Sequence, residues 1–211
     1  MGEMMDTAVA WPLTRDHMML LTQPEALHRQ VMGYLPDLGG RSTAIRKDTC
    51  TLFRVDLPTD PLGRSGQITL RLRGDAHTGD GERLAQEGFG ARSRIVVQVA
   101  AEKRNTQEGR IRTRPVRDDE AEEWAGELLA RHGLRALNLA VSGARRFGDR
   151  RSVGFWVRDL LADVEVSDPD AAEGALRDGV GRGRAYGLGM VVVLAAEQSK
   201  RSDDAVTGAS A

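Results

Sequence analysis

The spacing of apolar positions changes several times along the chain, and each change marks an element. Across "PEALHRQVMGYLP", Leu27, Val31 and Leu35 recur at helical spacing behind Pro24 at the first helical position, which predicts a short amphipathic helix. "CTLFRVDL" and "GQITLRLRG" alternate apolar and polar residues on either side of the turn-rich "PTDPLGRSG", as two strands do. "DGERLAQEG" then predicts a helix and "RIVVQVAAE" a strand. Ahead of these, "AWPLT" and "HMMLL" predict an extended first segment, with Pro12 arguing against a central strand. The order is β-α-β-β-α-β, the ferredoxin-like unit.

The second half repeats this order, beginning with a strand near "GRIRTRPV" and the helix "DDEAEEWAGELLARHG". That helix has an acidic first turn, Arg131 and His132 in its last turn and Gly133 beyond, with Ala121, Trp124, Ala125 and Leu128 along its buried stripe. The strands "ALNLAV" and "SVGFWVRDLLADVEV" follow. A helix opens at Asp168 and Pro169, Gly179 is placed to end it, and "MVVVLAA" closes the unit as a strand. The expected fold is α+β, with two tandem ferredoxin-like domains at residues 1–105 and 106–198 and a polar tail at 199–211 outside them. No residue-level repeat accompanies the duplication, which rests on element order alone.

Composition narrows the class. An apolar share of 40% over 211 residues is enough for one large or two small cores. The apolar runs are far shorter than a bilayer span, and the acidic start "MGEMMDTAVA" is unlike a signal peptide, so the expectation is a cytoplasmic protein without a membrane partner. A single cysteine, Cys50, excludes an internal disulfide framework and reads as a small core residue. His17, His28, His77 and His132 are scattered without ligand spacing, so neither a metal nor another cofactor is expected. The net charge is −1, yet residues 41–117 carry 16 basic against 9 acidic side chains, and residues 118–142 carry 2 against 6. A basic face is compatible with near-neutrality, and so is an ordinary solvated surface.

Two stretches carry candidate chemistry. "GVGRGRAYGLG" combines Gly179, Gly181, Gly183, Gly187 and Gly189 with Arg182 and Arg184. Glycine-rich loops bring backbone N–H groups close to phosphate oxygens, but this spacing matches neither G-x-G-x-x-G nor a P-loop, and the loop runs from helix to strand. A tight connection with exposed arginines reads equally well. "SGARRFGDRRS" sets Arg145, Arg146, Arg150 and Arg151 around a Gly-Asp turn, an arrangement that projects four cations from a short hairpin. Such a cluster repels itself unless an anion is near, Asp149 and solvent being the alternative. With aromatics at 4% and no aromatic-rich strand, an RNA partner would be held through phosphates and shape rather than by base stacking. His28 lies about 100° around its helix from Leu27, on the flank of the apolar stripe, where a groove can reach it. By itself it reads as an ordinary surface histidine.

"ALHRQVMGYLPD", "TLFRVD", the helix around Trp124 and "VSDPDAAEGALRDGVGRGRAYGLGM" fall in the order and approximate spacing of the CRISPR RNA-processing endoribonucleases of the CasE family. The chain resembles that family over most of its length. The resemblance implies two tandem ferredoxin-like domains and a metal-independent cut at the base of the stem-loop of CRISPR repeat RNA. The ribose 2′-hydroxyl attacks the adjacent phosphate in line, leaving a cyclic phosphate and a 5′-hydroxyl, and the product hairpin stays bound. It also implies the other subunits of a type I-E Cascade complex as partners. His28 matches the family's catalytic position, and histidine, titrating near pH ~6.5, serves as base or acid near neutrality. Arg184 matches a commonly basic position, and Gly179, Gly181, Gly187 and Gly189 match the glycines of the loop. Arg145, Arg146, Arg150 and Arg151 occupy the region of a basic hairpin set against the RNA stem.

One departure stands out: several relatives have tyrosine three residues before the catalytic histidine, where this chain has Glu25. A carboxylate there orients His28 or repels RNA. A non-catalytic guide-RNA-binding subunit therefore stays open beside the enzyme. A small-molecule-binding regulatory module, with the glycine-rich loop as its ligand turn, is the third class.

Overall fold

The structure is a computed structural model that describes residues 5–35, 49–74, 81–107, 110–148 and 153–197. The first sheet is built from β1 (Met5–Pro12), β2 (Leu52–Asp56), β3 (Gln67–Arg73) and β4 (Glu82–Ala85), with α1 (Arg15–Leu20) and α2 (Pro24–Met32) between β1 and β2. The second half begins with β5 (Arg92–Ala100), followed by the strands β6 (Glu102–Gln107) and β7 (Arg110–Pro115). Then come α3 (Ala121–Ala130), β8 (Leu134–Val141), β9 (Arg145–Phe147), β10 (Phe155–Val166), α4 (Pro169–Asp178) and β11 (Val192–Glu197). The first sheet runs β2-β3-β1-β4 and the second β11-β5-β10-β8, with β9 paired to β10. Every pairing is antiparallel. Both orders are those of a ferredoxin-like sheet, so the α+β, tandem ferredoxin-like expectation describes the chain.

Several assignments differ from the sequence pattern. The strand "RIVVQVAAE", expected to close the first unit, is β5 and sits inside the second sheet between β10 and β11, with Val157 opposite Ala100 and Val192 opposite Val96. By sheet membership the divide therefore falls between β4 and β5, ahead of residue 105. Ile95, Val97 and Val99 pack with α3 and α4, while Val96 packs with Leu52 and Ala100 with the first core. A strand buried on both faces reads as one apolar run, which does not reveal its neighbours. The strand near "GRIRTRPV", expected to open the second unit, is β7, which pairs with β6 as a two-stranded ribbon.

The helix expected at "DGERLAQEG" is instead β4, an edge strand whose Glu82 and Ala85 lie opposite Ala8 and Met5. Pairing along the open edge of β1 outweighs the helix-forming residues of this segment. At the start of the chain, "HMMLL" belongs to α1 rather than to an extended segment, and β1 is central, with Pro12 tolerated as its last residue.

α2 begins at Pro24 and buries Leu27 and Val31 against Phe53, Leu70 and Leu72 of the first sheet. Phe147, Phe155, Val157 and Leu188 of the second unit join the same core, so one apolar cluster spans both halves. α4 starts where the pattern placed it, with the Asp168 carboxylate accepting the Ala171 N–H at 3.1 Å.

Buried polar contacts join the sheets as well. Arg73 is 1% exposed and donates to Asp6 at 2.7 and 3.0 Å. It also reaches the carbonyl oxygens of Leu176 and Val191, at 3.2 and 2.6 Å. Arg54 and Asp56 form a second buried pair, at 2.5 Å. Part of the basic surplus of residues 41–117 is thus interior, not a surface stripe. Cys50 is half-buried with φ 48°, a turn residue and not the core residue its type suggested. The tail expected at 199–211 lies outside the described residues. Among the described residues no helix is long and apolar enough to cross a membrane.

Candidate active site

The glycine-rich segment folds back on itself between α4 and β11. Val180 N–H donates to the Gly189 carbonyl at 2.8 Å, and Gly189 N–H donates to Gln98 on β5 at 2.7 Å. A single 3-10 turn, Arg184–Tyr186, lies between Gly183 and Gly187, both left-handed. Two glycines show why side chains are excluded. A Cβ on Gly189 would lie 2.1 Å from the Val180 oxygen, and one on Gly187 would lie 2.8 Å from the ring of Phe53, which is fully buried. Gly179, Gly181 and Gly183 also have positive φ. The glycines shape the loop and seat it on the first core.

This fold-back brings the loop to His28. The ring Nδ1 lies 2.7 Å from the Ala185 carbonyl oxygen, across 157 residues of sequence. The Tyr186 ring meets the imidazole edge-on, with centroids 6.0 Å apart, and leans on Phe155 at 5.4 Å. The half-buried imidazole is therefore held between the two units.

The other expected residues divide into those near this point and those away from it. Glu25 is exposed, one turn before His28 on α2; the Nδ1 partner is Ala185, not Glu25. Arg184 is exposed and donates to the Asp178 carbonyl at 2.8 Å, curling over the end of α4. Arg182 faces Glu102 at 3.4 Å. On β9, Arg145 is 3.7 Å from Asp159, and the Arg146 guanidinium stands 5.9 Å from the centre of the Trp156 ring. Arg150 and Arg151 lie outside the described residues.

Arg145 and Tyr186 share a cleft of about 50 Å³ with Leu27, Leu57, Asp60 and Gln98. Burial pushes the Asp60 carboxyl above its usual range, against the hydrogen bond from Leu57 N–H, and nearby Asp159 and Asp56 add to the rise. His132 is pushed the other way, below the usual imidazole range, by burial and then by Arg131 and Arg184. Among the described residues no group of three His, Cys, Asp or Glu side chains is placed to hold a metal ion.

Sequence reasoning passed over Ala185, Tyr186, Asp60 and Gln98. Tyr186 stood in the quoted loop, but only the fold shows which ring it meets. Asp60 and Gln98 carry no local signal.

A family model described as CRISPR associated protein matches residues 9–194. The chain belongs to the CRISPR associated protein family. No curated protein matches it. Solved structures of similar fold include the CRISPR endoribonuclease Cse3 bound to a 19-nucleotide RNA, at 22% identity and TM-score 0.67, covering 92% of this chain and 99% of that one. Thermus thermophilus Cse3 bound to an RNA representing a pre-cleavage complex is 21% identical with TM-score 0.67, covering 92% and 100%. Cas6e from Escherichia coli K-12 is 14% identical with TM-score 0.60, covering 90% and 98%. A chain of a CRISPR RNA-guided surveillance complex is also similar, at 22% identity and TM-score 0.59, covering 90% and 98%. The chain spans nearly the full length of these solved structures.

Proposed function

We propose that this protein is a metal-independent endoribonuclease that cuts CRISPR repeat RNA at the base of its stem-loop and keeps the product hairpin. It works in the cytoplasm, alongside the other subunits of a type I-E surveillance complex. The observation that carries the reading is His28 seated against the glycine-rich loop, in a family whose solved relatives include RNA-bound endoribonucleases.

In this reading the ribose 2′-hydroxyl attacks the neighbouring phosphorus in line, and the 5′-oxygen leaves. His28 moves the proton, as a half-buried imidazole reachable from solvent can. Arg184, on the same loop turn, and Arg182 beside it offset the charge that builds on the phosphate. Arg145 and Arg146 on β9, with Arg150 and Arg151 beyond it, hold the stem through its phosphates. Gly179, Gly181, Gly183, Gly187 and Gly189 serve by shaping the loop, and Glu25 is exposed one turn before His28 on α2.

The test incubates the purified protein with end-labelled repeat hairpin in excess chelator, beside His28→Ala and beside RNA lacking the 2′-hydroxyl before the cut. Loss of general acid–base help predicts a fall of about 10²–10⁴-fold in rate for His28→Ala, with binding kept. Tight binding by the native protein without any cut would make it a guide-RNA-holding subunit instead.

A further inference from the structure

We propose that the main-chain carbonyl of Ala185 sets the tautomer of His28: it keeps the neutral ring's proton on Nδ1 and leaves Nε2 as the nitrogen that trades protons with substrate. What Nε2 acts on rests on the RNA-cutting reading above. The tautomer is a property of the free protein.

A carbonyl oxygen only accepts, so the 2.7 Å contact is a hydrogen bond only when Nδ1 carries the proton. A neutral imidazole has one such proton, and Nε2 is then a bare acceptor. The other tautomer would set the Nδ1 lone pair against the carbonyl lone pairs in a half-buried place. Losing that bond shifts the population by about tenfold or more.

The loop is built to hold this oxygen still. Tyr186 N–H closes the 3-10 turn onto the Gly183 carbonyl at 2.8 Å, and Gly189 N–H ties the loop's exit to Gln98 at 2.7 Å. Gly187 lets the turn lie on the buried Phe53, and the Tyr186 ring packs edge-on against the imidazole. Ala185, Tyr186 and Gly187 are in this sense positioning residues, acting through His28. The arrangement also makes the state of His28 depend on both units, since α2 supplies the ring and the second unit supplies the oxygen.

The test is a long-range proton–nitrogen NMR spectrum of the full chain with ¹⁵N-labelled histidine, without RNA, at alkaline pH where imidazoles are neutral. The His28 signals are assigned by their loss in His28→Ala. A pyrrole-type Nδ1 with a pyridine-type Nε2 is the expected result, and the reverse pattern or an averaged pair overturns the proposal. In Gly187→Ala the expected pattern moves toward averaging, and single-turnover cleavage falls by about tenfold or more while RNA binding changes little. Gly174→Ala in α4, where an added Cβ meets nothing within 4 Å, keeps the native pattern and rate. The wild-type spectrum decides the tautomer even if Gly187→Ala does not fold. Cleavage by His28→Ala at the native rate would remove His28 from the cutting step and leave the spectrum to be judged on its own, whereas no cut by the native protein would remove the RNA-cutting reading itself.

Discussion

Replacing Arg73 by methionine is the most demanding test of how the two units are joined. The guanidinium is 1% exposed and binds Asp6, Gln86 and the carbonyls of Leu176 and Val191 in one geometry. Methionine fills much of the volume and removes every donor. Breaking a buried ion pair from one side costs about 3–5 kcal/mol, and each carbonyl left without a donor adds up to about 1–3 kcal/mol. Arg71 stays 3.2 Å from Asp6 and keeps that carboxylate partly paired, which holds the expected loss to about 4 kcal/mol. That is a large part of the ~5–15 kcal/mol that holds a typical fold, and at this chain length it lowers Tm by about 8–16 °C. Thermal melts at neutral pH, followed by circular dichroism and tryptophan fluorescence, read the change. Asp6→Asn added to Arg73→Met should recover part of the loss, because the buried carboxylate left with Arg71 alone is then neutral. A Tm drop under about 3 °C in the single variant, or a further fall in the double, would refute the reasoning.

Two further outcomes follow from the charges. In a repeat-hairpin binding series, Arg145→Ala/Arg146→Ala should weaken affinity and flatten the slope of log K against log salt by about 1–2, the amount that losing one or two phosphate contacts gives; an unchanged slope would remove β9 from the interface. For His132, whose folded pKa is lowered first by burial and then by Arg131 and Arg184, the unfolded chain binds the extra proton, so stability rises with pH through the window below 6.5 and is lost as pH falls through it. His132→Asn should therefore flatten that part of the urea-midpoint profile, and a profile that keeps its native slope there would show that His132 is not its source.

The sequence announced elements better than it announced neighbours. α2, α3 and α4 were legible because proline, an acidic first turn and an N-capping Asp168 mark starts, and apolar spacing marks the buried face. β5 was legible as a strand and misassigned to a sheet, because an apolar run serves either side. β4 is not legible because "DGERLAQEG" has helix-forming residues, and pairing with β1 outweighs that local propensity. The site shows the same limit. His28 and the glycine loop could both be singled out, but their contact spans 157 positions and is made by a backbone oxygen, which has no letter in the sequence. The charge count misled for a related reason: Arg54 and Arg73 look like surface cations until their buried carboxylates are seen.

The buried charge between the units bears directly on that contact. An apolar interface tolerates small slips, because dispersion contacts are traded one for another. Arg73 does not, since its donors reach Asp6, Leu176 and Val191 together in one placement only. Leu176 lies just before the glycine-rich loop and Val191 just after it, so the same guanidinium ties both ends of the loop to the first sheet. α2, packed on the other face of that sheet, carries His28. A slip of a fraction of an ångström at the interface would therefore be felt as a lengthened His28–Ala185 hydrogen bond. If this is why a costly buried arginine is kept where a methionine would fit, Arg73→Met should lose cleavage at temperatures well below its own melting point.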